Sequence, residues 1–139
     1  MSKISVLMSV YKKENPEYLR ASLESILVQT RTADEILLIE DGPLTQELYQ
    51  VVAEYQKKCD YLHVHAMEQN VQLGRALAKG VELCQYDLIA RMDTDDIAMP
   101  DRLEKEGAYM EAHPEVDVVG GAIREFNDEG TIDLSLIHI

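Results

Sequence analysis

The stretch Glu35-Ile36-Leu37-Leu38-Ile39-Glu40-Asp41-Gly42-Pro43 decides the fold. Its four consecutive apolar residues are typical of a strand that is buried on both faces, as in a parallel sheet covered by helices. The apolar run stops abruptly at residues 40–43, where Asp and Gly favour a turn and Pro43 is expected to open a helix. The sequence therefore predicts a buried strand over residues 35–39.

The rest of the chain alternates between strand and helix patterns. Further short apolar runs predict strands at Ile4–Val10, residues 61–66, residues 86–89 and residues 116–119. Between these runs, apolar residues recur at helical spacing, which predicts helices that begin near Asn15-Pro16, Leu44, Leu73 and Pro100. This alternation predicts an α/β fold, with a mostly parallel sheet flanked by helices on both faces.

Composition limits the partners and the compartment. The length of 139 residues fits one domain, and the net charge of −13 argues against a nucleic-acid partner. Cys59 and Cys84 lie in no Cys-X-X-Cys pair and are expected to be reduced thiols. Since the N-terminus lacks a signal-peptide pattern and no apolar run approaches the length of a membrane span, we expect a cytoplasmic location.

A second informative stretch is Ala90-Arg91-Met92-Asp93-Thr94-Asp95-Asp96, at the end of a predicted buried strand. Its three carboxylates lie within four positions, where like charges repel and raise each other's pKa. A divalent cation removes that conflict, because Mg²⁺ and Mn²⁺ prefer oxygen ligands. The alternative is a solvated acidic turn in which Asp96 or Asp101 caps the next helix.

Other polar residues are predicted to share the sheet edge with this acidic stretch, because the carboxyl ends of parallel strands meet there. They are Ser9, Tyr11, Glu40, Asp41 and Asn70. Each has a structural alternative: Asp41 suits a turn, and Tyr11 suits the core. Together they predict a ligand site, in which Asp41 is expected to be a surface carboxylate whose loss costs little stability.

Several other motifs are absent. The segment around Gly74 is not a Gly-X-Gly-X-X-Gly fingerprint, and the sequence has no phosphate-binding Gly-X-X-X-X-Gly-Lys-Ser/Thr loop. The acidic stretch also fails the Ca²⁺-loop pattern, because Ile97 and Ala98 stand where a ligand and a Gly are needed. The four histidines have no spacing that suggests zinc.

Six segments, in this order, resemble the N-terminal half of family 2 glycosyltransferases, which have the GT-A fold. They are residues 4–11 (Ile-Ser-Val-Leu-Met-Ser-Val-Tyr), 22–30 (Ser-Leu-Glu-Ser-Ile-Leu-Val-Gln-Thr), 40–42 (Glu-Asp-Gly), 70–74 (Asn-Val-Gln-Leu-Gly), 90–96 (Ala-Arg-Met-Asp-Thr-Asp-Asp) and 99–103 (Met-Pro-Asp-Arg-Leu). The resemblance implies a Rossmann-like nucleotide-diphospho-sugar transferase fold, of which this sequence contains part.

The resemblance also implies roles for particular residues. Ser9, Tyr11 and Asp41 match positions that hold the nucleotide base, and Arg75 and Arg91 lie near the expected diphosphate. Asp95 matches a direct ligand of Mn²⁺ or Mg²⁺, and Asp93 matches a position near the ribose or a metal-bound water. The implied reaction is sugar transfer from a nucleoside-diphosphate sugar, with uridine as the default nucleotide, to an acceptor hydroxyl with inversion at the anomeric carbon. The implied setting is cell-surface polysaccharide synthesis with a saccharide or lipid-linked acceptor.

Two features depart from the family pattern. Glu40 stands where the family commonly has Asp, and the sequence ends where family domains continue into an acceptor-binding half. We therefore expect residues 1–130 to form the nucleotide-sugar-binding part, residues 131–139 to be an atypical and truncated tail, and the general base to lie beyond Ile139. Regions beyond this sequence are also expected to carry any peripheral association with the inner face of the membrane. The alternatives are a non-catalytic nucleotide-binding fragment and a sugar nucleotidyltransferase.

Overall fold

The fold alternates strands and helices along most of the chain, as the sequence predicts. We analysed a computed structural model, which describes residues 2–120, 122–127 and 130–136. The strands are β1 (Ile4–Val10), β2 (Glu35–Glu40), β3 (Leu62–Ala66), β4 (Leu88–Arg91), β5 (Ala122–Asn127) and β6 (Gly130–Leu136). The helices are α1 (Pro16–Leu27), α2 (Gln46–Lys58), α3 (Leu73–Leu83) and α4 (Arg102–Ala112).

Four strands form one parallel sheet in the order β3-β2-β1-β4. In its register, Val10 lies opposite Glu40, and Leu7 lies opposite Arg91. The predicted strand at residues 116–119 is wrong, because this segment follows a turn in which the Val116 N–H bonds the His113 carbonyl at 2.9 Å. An apolar run becomes a strand only where a neighbouring strand accepts its hydrogen bonds, and none of the described strands pairs with residues 116–119.

Helices cover both faces of the sheet, which confirms the predicted architecture. One face of β1 and β2 packs against α1, α2 and the start of α4, and the buried side chains there include Leu23, Leu38, Leu48 and Leu103. The other face packs against α3 through a smaller apolar cluster. There α3 approaches β1 closely, because a Cβ at Gly80 would lie 2.3 Å from a methyl carbon of Leu7.

The helix starts follow the sequence in two cases, α1 and α3, and depart from it in the other two. Asn15 caps α1, since its side chain accepts the Glu17 N–H at 2.8 Å, and Pro16 is the first helical residue. The second helix begins at Gln46 and is capped by Thr45, so Pro43 does not open it. Asp101 precedes α4 without a capping side-chain bond, which contradicts the capping role that the acidic-turn alternative gave it.

Residues near the end of the sequence form a separate antiparallel pair, β5 and β6, with a register shift between Glu125 and Phe126. The expected tail over residues 131–139 therefore includes most of a strand, and residues 137–139 lie outside the described part. Among the described residues, no helix combines the length and the apolar character needed to span a bilayer.

Candidate nucleotide and metal site

The strand order of the parallel sheet reverses at β1, because β2 and β3 follow on one side of it and β4 lies on the other. Ligands of open α/β sheets bind beyond the carboxyl ends of the strands at such a reversal. The acidic stretch extends β4 at this point, since the Met92 N–H still bonds the Leu7 carbonyl at 3.0 Å. The topology therefore places Asp93, Asp95 and Asp96 at the crevice where a ligand is expected.

Three carboxylates meet in this acidic loop. One oxygen each from Asp93, Asp95 and Asp96 lies within 4.8 Å of the others, with Asp93 half-buried and the other two exposed. Such a set of oxygen donors suits Mg²⁺ or Mn²⁺. The sequence predicted Asp93 and Asp95 as the metal pair and gave Asp96 a helix-proximal role, whereas the structure brings all three together.

Asp96 shows the electrostatic consequence of this crowding. Although Asp96 is exposed at the residue level, partial burial of its carboxyl group raises its pKa, and the charges of Asp93 and Asp95 raise it further. Arg102 and Arg91 act in the opposite direction on the same pKa. The cluster therefore carries more negative charge than its arginine neighbours balance, which is a property that a cation would relieve.

Arg91 is joined directly to the acidic cluster. Its guanidinium lies 3.2 Å from the Oδ1 atom of Asp93, and both side chains are about half exposed. Arg102 from α4 donates to the Arg91 backbone carbonyl at 2.9 Å. Two guanidinium groups thus lie beside the carboxylates, and that of Arg102 is also paired with Glu106 at 3.1 Å.

Thr94 anchors the acidic loop to the end of β1. Its side chain is buried, and its hydroxyl lies 3.4 Å from the Ser9 carbonyl and also bonds the Glu14 carboxylate. Ser9 therefore contacts the acidic loop through its backbone. The sequence analysis gave no role to Thr94 or Glu14, and the position of Thr94 between two aspartates was the available signal for the first of them.

Asp41 differs from the sequence-based expectation. Asp41 is 4% exposed, and its Oδ1 atom accepts the Val71 N–H at 2.7 Å. The backbone carbonyl of Asp41 also lies 3.4 Å from the side-chain amide nitrogen (Nδ2) of Asn70. The expectation of a surface carboxylate is therefore wrong, because this carboxylate is buried and holds the loop before α3 against the end of β2.

Tyr11 and Arg75 stay accessible to a ligand. Tyr11 follows β1 and is 46% exposed, which contradicts the alternative that placed it in the core. Arg75 is exposed in the first turn of α3. Within the described residues, no hydrogen bond or ion pair ties either side chain to the acidic cluster, so the structure places them at the same edge without joining them to it.

Comparison with models of protein families identifies the family of this chain. A family model described as "Glycosyl transferase family 2" matches residues 5–138, which is almost the whole chain. The chain belongs to glycosyl transferase family 2. This membership confirms the family resemblance that the six sequence segments carry.

Curated relatives give the same result at the level of whole proteins. The chain is 52% identical over 124 residues to an uncharacterized glycosyltransferase of Haemophilus influenzae, covering 89% of this chain and 46% of the relative. It is 47% identical over 126 residues to the amylovoran biosynthesis glycosyltransferase AmsE of Erwinia amylovora, covering 91% and 47%. It is 35% identical over 136 residues to an Escherichia coli protein named UDP-Gal:alpha-D-GlcNAc-diphosphoundecaprenol beta-1,3-galactosyltransferase, covering 94% and 48%. The chain thus spans about half the length of the curated relatives it matches.

Solved structures show that the fold is of the GT-A type. Staphylococcus aureus TarS 1–349 in complex with UDP-GlcNAc matches with a TM-score of 0.71 and 23% identity, covering 81% of this chain and 32% of that chain. The mannosyltransferase PcManGT from Pyrobaculum calidifontis, in complex with GDP-Man and Mn²⁺, matches with a TM-score of 0.70 and 15% identity, covering 87% and 34%. The parallel sheet and its flanking helices are therefore part of a larger GT-A domain.

Proposed function

We propose that this chain is the donor-binding part of a metal-dependent, inverting glycosyltransferase that takes a sugar from a nucleoside diphosphate, with uridine as the nucleotide. One observation carries the proposal: three carboxylates converge within 4.8 Å at the sheet edge where ligands of this fold bind. Family membership supports the transfer of a sugar. UDP-GlcNAc in one structural neighbour and Mn²⁺ in another are consistent with the donor and the cation.

The acidic loop supplies the metal site in this proposal. Asp95 binds Mn²⁺ or Mg²⁺ directly, while Asp93 lies near the ribose or a metal-bound water. A bound divalent cation would neutralise the charge that develops on the departing diphosphate. The observed geometry fits such a cation, because the carboxylates are close enough to share it and their mutual repulsion favours its binding.

Other residues of the same edge hold the nucleotide in this proposal. Arg91 contacts the diphosphate, for which its position beside Asp93 is suitable, and Arg75 does so from the start of α3. The exposed ring of Tyr11 stacks on the base, while Ser9 and Asp41 line the base site. Since one oxygen of Asp41 is already bonded to Val71, only its remaining hydrogen-bonding capacity is available to a ligand.

The proposed acceptor is a saccharide on a lipid carrier, in the synthesis of a cell-surface polysaccharide. The names of two relatives support this setting, since one is an amylovoran biosynthesis enzyme and the other acts on a diphosphoundecaprenol-linked sugar. Such an acceptor would place the protein at the inner face of the membrane.

No described residue is assigned as the general base, which contributes about 10²–10⁴-fold to such a reaction. We therefore expect the 139-residue chain alone to hydrolyse donor slowly and to transfer little sugar.

Titration calorimetry with UDP tests the donor and metal roles together. We expect UDP to bind at least about tenfold more tightly with Mn²⁺ than with a chelator, because the uncompensated carboxylates repel a diphosphate. Asp95→Asn should remove this metal dependence, and Asp96→Asn should reduce it less. Glu104→Gln removes one negative charge from the exposed first turn of α4 and is the matched control, which should behave like the parent chain. Equal UDP affinity with and without the chelator would contradict the proposal.

A further inference from the structure

Three buried polar residues lie on α1 and just beyond its end: Ser22 and Ser25 on the helix and Gln29 two residues after it are 0%, 7% and 7% exposed, respectively. Ser22 and Ser25 are three positions apart and lie on the same side of α1, and the Gln29 side chain donates to the Ser25 carbonyl at 3.0 Å, so the three side chains form a continuous polar stripe. Buried polar groups cost free energy unless they are hydrogen-bonded. Their bonding partners therefore show what the stripe is for.

The partners of the stripe lie in the loop that contains the acidic cluster. The Ser22 hydroxyl donates to the Asp93 carbonyl at 3.2 Å, and the Ser25 hydroxyl accepts the Ala98 N–H at 3.0 Å. Ser25 also donates to the Ser22 carbonyl at 2.7 Å, which orients its hydroxyl so that a lone pair faces Ala98. Both ends of the acidic turn are thus bonded to one helix.

Gln29 continues the same set of contacts toward α4. Its amide nitrogen donates to the Met99 carbonyl at 2.7 Å, and its Oε1 atom accepts the Leu103 N–H at 3.0 Å. The second bond satisfies a free N–H at the start of α4, where Asp101 makes no capping bond. The side chain of Gln29, just beyond the end of α1, therefore supplies the cap of α4 and fixes where the acidic loop ends.

This arrangement opposes the repulsion within the acidic cluster. Three carboxylates within 4.8 Å favour a loop that spreads apart. Its backbone is nevertheless bonded to α1 at Asp93 and Ala98 and to Gln29 at Met99 and Leu103. A loop held in its binding shape avoids the cost of ordering when a cation arrives.

We infer that Ser22, Ser25 and Gln29 are positioning residues, which hold the backbone of the acidic loop so that its carboxylates stay together for a divalent cation. This inference rests on the proposed metal role of the acidic cluster. The segment over residues 22–30 was prominent in the sequence, but its polar positions had no assigned task. The structure gives them one that differs from ordinary core packing, because their partners are backbone groups of the loop and not other side chains of the core.

Two variants remove the contacts, and two further variants serve as references. Ser25→Ala removes the acceptor for Ala98, and Gln29→Leu removes all three bonds of the side-chain amide at similar volume. Gln29→Glu keeps an acceptor for the Leu103 N–H but loses the donor to Met99, so it should rescue part of the effect. Tyr55→Phe is the matched control, because it removes the 2.9 Å bond from α2 to Glu24 of α1 without touching the acidic loop.

The experiment measures Mn²⁺ binding by calorimetry, amide hydrogen exchange by NMR without metal, and the thermal midpoint of the 139-residue chain and of each variant. We expect Ser25→Ala and Gln29→Leu each to bind Mn²⁺ about fivefold more weakly than the parent and to stay folded at the assay temperature. Hydrogen exchange should become faster at the Ala98 amide in Ser25→Ala and at the Leu103 amide in Gln29→Leu. Tyr55→Phe should lower the thermal midpoint by a similar amount and leave Mn²⁺ affinity unchanged. Gln29→Glu should fall between the parent and Gln29→Leu.

Two results would overturn the positioning role. One is Mn²⁺ affinity equal to that of the parent in both variants despite faster amide exchange. The other is an equal loss of Mn²⁺ affinity in Tyr55→Phe, which would mean that general destabilisation of α1 explains the effect. If the proposed metal role itself is wrong, the result differs from both of these, because the unmodified chain would then bind no Mn²⁺ at all.

Discussion

Replacement of Asp41 by alanine tests whether this carboxylate supports the fold as well as the ligand site. Asp41 is 4% exposed and accepts the Val71 N–H at 2.7 Å, so the change removes a buried, charge-assisted hydrogen bond. Such bonds contribute about 1.5–3 kcal/mol. Water can partly replace the bond because Val71 is half-buried, and removal of the buried charge recovers some desolvation energy.

The net loss expected for Asp41→Ala is therefore about 1–2 kcal/mol in the free energy of unfolding, or roughly 3–8 °C in the thermal midpoint for a domain of this length. Asp41→Asn keeps an acceptor of the same size, so we expect about half of that loss. The exposed Asp60 provides the control, and Asp60→Ala should stay within about 0.5 kcal/mol of the parent.

Urea denaturation followed by circular dichroism measures these differences, and amide exchange at Val71 locates them. The exchange rate at Val71 should rise in Asp41→Ala more than at amides of the sheet, because the bond that protects Val71 is lost. A free energy of unfolding for Asp41→Ala within about 0.5 kcal/mol of the parent would refute the reasoning. So would unchanged protection of Val71.

Three further predictions concern backbone geometry, pH and ligand choice. Gly42→Ala should lower the free energy of unfolding by about 1–3 kcal/mol in a urea titration, because Gly42 has a φ of 89° and a Cβ there would lie 2.7 Å from the Asn70 backbone nitrogen. Gly74→Ala is the control: a Cβ at Gly74 meets open space, so this variant should be neutral or slightly stabilising in the same titration. Burial raises the pKa of Glu40 above its usual 4.5, so ionisation of Glu40 opposes folding as the pH rises through the raised pKa. Glu40→Gln should therefore be more stable than the parent at pH 7. A gain in stability that persists below about pH 4, where Glu40 is neutral in both the folded and the unfolded chain, would contradict burial of the charge as the cause. Asp41→Asn should lose part of the preference for uridine over adenosine nucleotides in calorimetry, and an unchanged preference would show that Asp41 does not contact the base.

Much of the fold follows from local sequence patterns, and the exceptions have a common cause. The apolar runs of β1 and β2 predicted buried parallel strands, and Asn15 with Pro16 predicted the start of α1, because burial and capping depend on neighbouring residues in the sequence. Residues 116–119 contain three valines, which predicted a strand, but a strand also needs a partner that the sequence does not specify. The capping role expected of Asp101 was wrong for a similar reason, since the cap of α4 comes from Gln29, which lies just beyond α1.

The candidate site divides in the same way. The sequence by itself determined which chemical groups are present: the acidic residues of the loop after β4, the aromatic ring of Tyr11 and the ordered motifs of the family. Only the tertiary structure decided that Asp96 joins Asp93 and Asp95 and that Asp41 is buried against the loop before α3. The physical reason is that chemical identity is local, whereas burial and the distance between charges depend on backbone segments brought together from far apart in the chain.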